Sequence, residues 1–168
     1  MSKSSRIETL ADARRETTRL KQELDDTYSR YKVALTRIPI DFQGDVHKYM
    51  CIRLSGYLEQ LFYVCVTGYI KSASNPKVVE FALHHFRHAP NMNPRNLEKL
   101  VEKFGDEWSL GLGLLLDGDN RRDSLGTLLG VRNTTAHGGN YKGSMPQVDS
   151  YKQLVNDIHN WVVRSILA

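Results

Sequence analysis

A chain of 168 residues is long enough to bury a core, and we expect one domain spanning residues 1–168. Hydrophobic residues make up 40% of the chain and charged residues 25%, which excludes wholesale disorder. The net charge of +4 permits a polyanionic partner such as RNA without requiring one.

Cysteine usage and hydropathy bear on the compartment. Cys51 and Cys65 fall in one predicted helix, about 21 Å apart at 1.5 Å per residue, which is too far for a disulfide. The first residues are charged throughout and lack the apolar core of a signal peptide. The longest apolar run, LGLGLLL, is too short to span a bilayer. We therefore expect a soluble cytoplasmic protein with no membrane partner.

The first predicted element is a long helix over residues 1–38. Apolar side chains recur at spacings of three and four, and Leu10, Thr17, Leu24, Tyr31 and Ile38 repeat every seven residues. Arg, Lys, Glu and Asp between them indicate a solvated face. Such a helix is about 45 Å long, more than a small domain needs, so part of the stripe is expected to pack on another chain.

A second, more apolar helix is predicted over residues 45–71, after a turn at IPIDFQGD. Its polar exceptions are Arg53, Ser55, Glu59 and Gln60. Arginine and glutamate are rarely buried unpaired, so each must reach solvent or serve a site.

Shorter helices follow, then a helix over residues 120–137 and an amphipathic C-terminal helix over residues 149–167. Asn93 is a predicted N-cap before Pro94, and Asp119 or Asn120 is expected to cap the helix that follows them. No segment has the alternation of a strand. The predicted fold class is an all-α helical bundle.

The sequence contains two partial metal-binding patterns, and each lacks required residues. His84 and His88 are four residues apart, but neither a third ligand nor the H-E-x-x-H pattern accompanies them. DGDNRRDSLGTL has Arg122 where a calcium loop needs glycine and Leu128 where it needs glutamate. We expect no metal and no cofactor.

The segment GVRNTTAHGG carries the strongest chemical pattern. Gly138 favours the left-handed conformation that ends a helix, so His137 falls in the last turn, where the helix dipole favours a protonated imidazole. Asn133 shares a face with His137, whereas Arg132 lies about 140° away on an ideal helix. Arg132 and His137 can serve one site only if the helix loosens or a second copy contributes.

An arginine and a histidine are the minimum for cleaving RNA without metal. The histidine can move protons, and the arginine can stabilise charge on a phosphate under attack by the ribose 2′-hydroxyl. The ordinary alternative is that His137 caps a helix and Arg132 lies on the surface.

Two stretches in order resemble the HEPN superfamily. RNTTAH matches its R-x-x-x-x-H motif, and SGYLE in the second helix is similar to the corresponding helix of the RiboL-PSP-like branch. The resemblance implies a helical bundle with Arg132 and His137 as the catalytic pair and Asn133 as the residue that positions them. It also implies that Glu59 supports Arg132, and Arg53 is a candidate contact for substrate phosphate.

The resemblance further implies a homodimer whose two motifs meet at the interface. The expected activity is metal-independent cleavage of RNA, with DNA spared, in a toxin–antitoxin or anti-phage setting that includes an inhibitory or triggering partner protein. Two alternatives are a non-catalytic helical module for dimerisation or partner docking, and an RNA-binding sensor.

Overall fold

The computed structural model describes residues 7–86, 93–136 and 144–168, and these fold into helices with no strand among them. The all-α prediction is confirmed. The helices are α1 (Leu10–Leu35), α2 (Ile40–Ala73), α3 (Pro76–His85), α4 (Pro94–Glu102), α5 (Asp106–Leu116), α6 (Arg121–Ala136) and α7 (Met145–Ile166).

Helix α1 begins later than predicted because a capping box fixes its start. The Thr9 side chain accepts a hydrogen bond from the Asp12 backbone N–H, and the Asp12 carboxylate accepts from the Thr9 backbone N–H. The helix ends at Leu35, so the predicted range of 1–38 is too long at its C-terminal end. Residues 1–6 lie outside the described part of the chain.

Helix α2 begins five residues before the predicted start at Asp45. Pro39 is its N-cap with an extended backbone, and the apparent turn IPIDFQGD is already helical from Ile40. Proline is compatible with a helix start because a residue there needs no N–H donor. The Gln43 amide reaches back to donate to the carbonyls of Leu35 and Ile38, joining the two helices.

Helices α1 and α2 form an antiparallel hairpin. Thr17 Oγ1 lies 3.6 Å from Cys65 Sγ near one end, and Tyr31 Oη lies 2.8 Å from His47 Nδ1 toward the other. The buried stripe of α1 is Ala13, Thr17, Leu20, Leu24, Thr27, Tyr31 and Leu35.

These buried positions pack within one chain, and for the remaining positions of the stripe the expectation that they pack on another chain stays a prediction. Helix α2 has 34 residues, about 51 Å at 1.5 Å per residue, and therefore covers α1 along its length within one chain.

Local residues set the ends of the shorter helices. Asn75 and Asn93 accept hydrogen bonds from Lys77 N and Asn96 N, and each precedes a proline in the first helical turn. Gly105 separates α4 from α5 with φ 111°, a conformation that glycine adopts without strain. Asp119 and Asn120 also take positive φ before α6.

Helices α2, α6 and α7 supply most of the remaining core. Phe62, Leu128, Val155 and Ile158 are fully buried in one continuous hydrophobic cluster. Helix α7 begins at Met145, four residues before its predicted start. Helix α6 matches its predicted start within one residue, and its predicted last residue, His137, lies outside the described part.

Cys51 and Cys65 are buried free thiols, and burial raises the pKa of Cys65 to about 12. Across the described ranges, no helix combines the length and apolarity needed to span a membrane.

Candidate active site

Helix α6 leads from the core to the first residue of the predicted Arg–His motif. Leu125, Leu128, Leu129 and Val131 are buried, so α6 is anchored up to the residue before Arg132. The backbone of Arg132 and Asn133 belongs to the C-terminal part of α6.

The side chains of Arg132 and Asn133, and all of His137, lie outside the described residues. Their predicted catalytic roles therefore stay predictions. Thr135, one turn beyond Val131, has a buried hydroxyl with no hydrogen-bond partner among the described residues. The end of α6 thus has a polar group available for a further contact.

The four polar residues of α2 singled out in the sequence differ in how far they are buried. Ser55 is buried, and its hydroxyl has no hydrogen-bond partner in the described ranges. Arg53 and Gln60 are exposed, whereas Glu59 is half-buried. Arginine at position 53 therefore reaches solvent, as its charge requires.

Arg53 and Glu59 line one cleft of about 430 Å³ between α1 and α2. Leu20, Leu24 and Tyr57 form part of its apolar wall. The structure thus brings together the predicted phosphate contact and the predicted acid. None of the described residues of α6 lines this cleft, so a contact between Glu59 and Arg132 stays a prediction.

A set of polar contacts joins α1 and α7 outside the predicted motif. Lys32 Nζ and Tyr28 Oη donate to the two carboxylate oxygens of Asp149, at 2.8 and 2.6 Å. Nearer the start of α1, Lys152 Nζ donates to Asp25 Oδ1 at 2.8 Å. We call this set the α1–α7 polar seam; its members are Lys21, Asp25, Tyr28 and Lys32 on α1, and Asp149, Lys152, Asn156 and His159 on α7.

The seam holds a buried cation. The Lys152 side chain is only 8% exposed, and burial lowers its pKa despite the hydrogen bond to Asp25. Its ammonium also donates to Asn156 Oδ1 at 2.7 Å and lies 5.4 Å from the centre of the Tyr28 ring. Burial alone raises the pKa of Asp25, but hydrogen bonds from Lys152 and Lys21 outweigh it, so the net pKa is lowered. These paired groups hold α1 against α7.

The sequence signal for the seam is a spacing of three and four residues between polar side chains on each helix. Residues 21, 25, 28 and 32 on α1, and residues 149, 152, 156 and 159 on α7, follow steps of three and four beside each apolar stripe. Such polar stripes are usually solvated, and only the antiparallel placement of the helices shows that these two meet.

Comparison with known proteins identifies one family. The family model described as RiboL-PSP-HEPN matches residues 8–166, a range that includes every helix given above. No curated protein and no solved structure matches the chain. The family resemblance predicted from RNTTAH and SGYLE is thereby confirmed, and HEPN domains are often ribonucleases.

Proposed function

The chain belongs to the RiboL-PSP-HEPN family, and from this premise we propose that it is a metal-independent endoribonuclease. The observation that supports the proposal is the position of RNTTAH in the chain: the backbone of Arg132 and Asn133 belongs to the C-terminal part of a helix anchored in the core, and His137 is five residues after Arg132 in the sequence.

The proposed reaction is transesterification within the RNA strand. A base at the site removes the proton of the ribose 2′-hydroxyl, whose oxygen attacks the adjacent phosphorus while the bond to the 5′-oxygen breaks. The leaving 5′-oxygen takes a proton, and the products are a 2′,3′-cyclic phosphate and a 5′-hydroxyl. Because DNA lacks the 2′-hydroxyl, it is not cut.

Each predicted residue has one role in this reaction. His137 transfers protons, since an imidazole can accept or donate one near neutral pH. Arg132 stabilises the charge that develops on the phosphate, and Asn133 positions the pair. Glu59 orients Arg132, and Arg53 binds a flanking phosphate of the strand.

We propose that the site is built by a homodimer. Arg132 and His137 are five residues apart and diverge by about 140° on an ideal helix. A second copy related by two-fold symmetry supplies the missing partner without distortion of the helix.

The biological role we propose is a toxin or an anti-phage effector restrained by a partner protein. RNA cleavage inside a cell arrests growth unless it is inhibited. Expression of the chain alone is therefore expected to stop growth, and the His137→Ala variant is expected to permit it; a toxic His137→Ala chain contradicts this role.

The direct test is cleavage of RNA by purified protein in the presence of a chelator. We expect His137→Ala and Arg132→Ala each to abolish cleavage and the wild-type protein to leave 2′,3′-cyclic phosphate ends. Arg95→Ala is the matched control because it removes an equal charge from an exposed position on α4. Cleavage that survives both motif substitutions, or that requires a divalent metal, contradicts the mechanism.

A second candidate is a non-catalytic module for dimerisation or partner docking. It is favoured by the apolar side chains left exposed where α1 turns into α2, among them Val33, Ile40 and Phe42. A stable dimer with no activity on any RNA supports this candidate or an RNA-binding sensor. A monomer in light scattering contradicts the composite nuclease site.

A further inference from the structure

A cleft of about 720 Å³ lies between α2 and α3, apart from the cleft that contains Arg53 and Glu59. Tyr63 of α2 and Phe86 at the end of α3 form part of its wall, with ring centres 5.8 Å apart and planes within 11° of parallel. Phe81 lines the same cleft and is 69% exposed. The cleft therefore presents the Phe81 ring to solvent, and a folded domain does not need an exposed ring for its own stability.

A cation accompanies these rings. Lys77, Phe81 and His84 follow one another at spacings of four and three on α3, so they share one face of the helix. Lys77 is exposed, so its ammonium is open to a ligand. An ammonium beside aromatic rings on a helix face suits a ligand that has both a flat π surface and a negative charge.

The aromatic cleft lies next to a predicted residue of the nuclease site. Tyr63 is four residues after Glu59 on α2, and both side chains are half-buried. Residues at this spacing are neighbours on a helix, about 6 Å apart along its axis. A polymer that crosses the nuclease site can therefore extend into the aromatic cleft.

We propose that this aromatic cleft binds a nucleobase of single-stranded RNA, with the base stacked on Phe81 and a neighbouring phosphate on Lys77. The proposal rests on the nuclease function given above, and it names the substrate class. Every base has a π face, whereas the bases of a duplex are stacked on each other and cannot enter. The RNA strand is thus held about one turn of α2 away from Glu59.

Glu80 adds a preference among bases. It lines the cleft and is exposed, and a carboxylate accepts hydrogen bonds from the exocyclic amino groups of adenine, cytosine and guanine. Uracil has no such group. We expect oligoadenylate and oligocytidylate to bind more tightly than oligouridylate, and Glu80→Gln to reduce the difference.

The test measures binding without cleavage. Short fluorescent 2′-O-methyl oligonucleotides are titrated with the full chain and followed by anisotropy, since a methylated 2′-oxygen cannot act as the nucleophile. Phe81→Ala is expected to weaken binding by about fivefold or more, the scale of one lost base–aromatic stack. Phe81→Trp keeps a stacking ring and should bind like the wild type. Lys77→Gln should reduce the slope of log affinity against log salt by about one.

Tyr49→Ala is the matched control. Tyr49 is an exposed aromatic residue, like Phe81, but lies on α2 about 21 Å from Tyr63 at 1.5 Å per residue. Its removal should leave binding unchanged. Phe81 is exposed, so Phe81→Ala is expected to fold, and circular dichroism checks this.

The outcomes separate this proposal from the nuclease function. If the wild type cuts RNA but Phe81→Ala binds the methylated oligonucleotide as tightly, the aromatic cleft is not the subsite and the nuclease stands. If binding depends on Phe81 and no RNA is cut, the cleft stands and the nuclease function fails. Equal affinity for duplex RNA, or no binding of any oligonucleotide, overturns the cleft.

Discussion

His159 shows how one side chain couples the stability of this bundle to pH. Its Nδ1 lies 2.6 Å from the Tyr57 hydroxyl, and its pKa is lowered to about 4. Burial is the main cause, and the nearby Lys21 and Lys152 oppose protonation further, while Asp25 favours it. The imidazole is therefore neutral in the folded protein at neutral pH.

The direction in which pH changes the stability follows from the pKa of His159 in the unfolded and folded states. The unfolded chain takes up a proton at His159 near pH 6.5, whereas the folded protein does so only near pH 4. Between these values the unfolded state binds more protons, so the free energy of unfolding falls as the pH falls.

The first prediction is that His159→Gln flattens this dependence between pH 6.5 and 4, because glutamine still meets Tyr57 but does not titrate. Urea denaturation at several pH values measures it. His47, whose pKa burial also lowers, leaves a residual slope. Tyr57→Phe is the control, since it removes the hydroxyl but leaves His159 buried, and its slope should persist. An unchanged slope in His159→Gln contradicts the assignment.

At the scale of elements, the pairing of α1 and α2 depends on one close approach. A Cβ built on Gly68 lies 2.5 Å from Ala13 Cβ and 3.5 Å from the Thr9 carbonyl oxygen. The first atom is the Cβ of a fully buried alanine and the second is a backbone oxygen, so neither is the end of a flexible side chain. The two helix backbones meet here at a distance that only glycine permits.

We therefore predict that Gly68→Ala destabilises the protein by about 1–3 kcal/mol, the usual cost of overpacking a core. Gly44→Ala, on the same helix, should be neutral or stabilise by up to about 1 kcal/mol because no atom lies within 4 Å of the added Cβ. Equilibrium denaturation of both variants measures the difference. Equal stability of the two variants would show that α1 shifts freely to make room.

The helices were predictable from local chemistry, and their mutual contacts were not. Asn93 with Pro94 marks a helix start in the sequence, and the structure has that cap. The sequence predicts a turn at IPIDFQGD where α2 already begins, because a proline marks equally well the end of one helix and the beginning of the next. The pairs of the α1–α7 polar seam join residues 117 and 127 positions apart, so the local spacing marks each polar stripe but does not indicate which stripes pair.

The candidate site, too, was predictable from the sequence only in part. The helix of the motif was predictable from the sequence, and so was the place of Glu59 on α2, but not its partial burial. The cleft shared by Arg53 and Glu59 depends on the α1–α2 pairing, and the aromatic cleft on how α3 packs against Tyr63. Both are tertiary features that a short motif does not encode.

At the scale of the whole molecule, the proposed two-chain site makes a quantitative prediction. If Arg132 of one copy acts with His137 of the other, mixing Arg132→Ala with His137→Ala rebuilds one intact site in each mixed dimer. Random pairing makes half the dimers mixed, so about a quarter of the wild-type sites should return. RNA cleavage after subunit exchange measures the recovery.

The matched control mixes Arg132→Ala with the double variant Arg132→Ala/His137→Ala, a combination that cannot rebuild a site. No recovery in the first mixture, with exchange verified by mass, would mean that each site takes both residues from one chain or needs all four.

The long sequence separation across the polar seam also sets an order for biosynthesis. Helices α1 and α2 are consecutive, so their contacts are local and can form as soon as both have left the ribosome. Lys32 and Asp25 meet their partners only when α7 emerges, 117 and 127 residues later. Until then α2 and α6 lack one wall of the core, so a nascent chain that already carries RNTTAH is not yet a finished bundle. The proposed nuclease is therefore expected to be complete only when the last helix is in place.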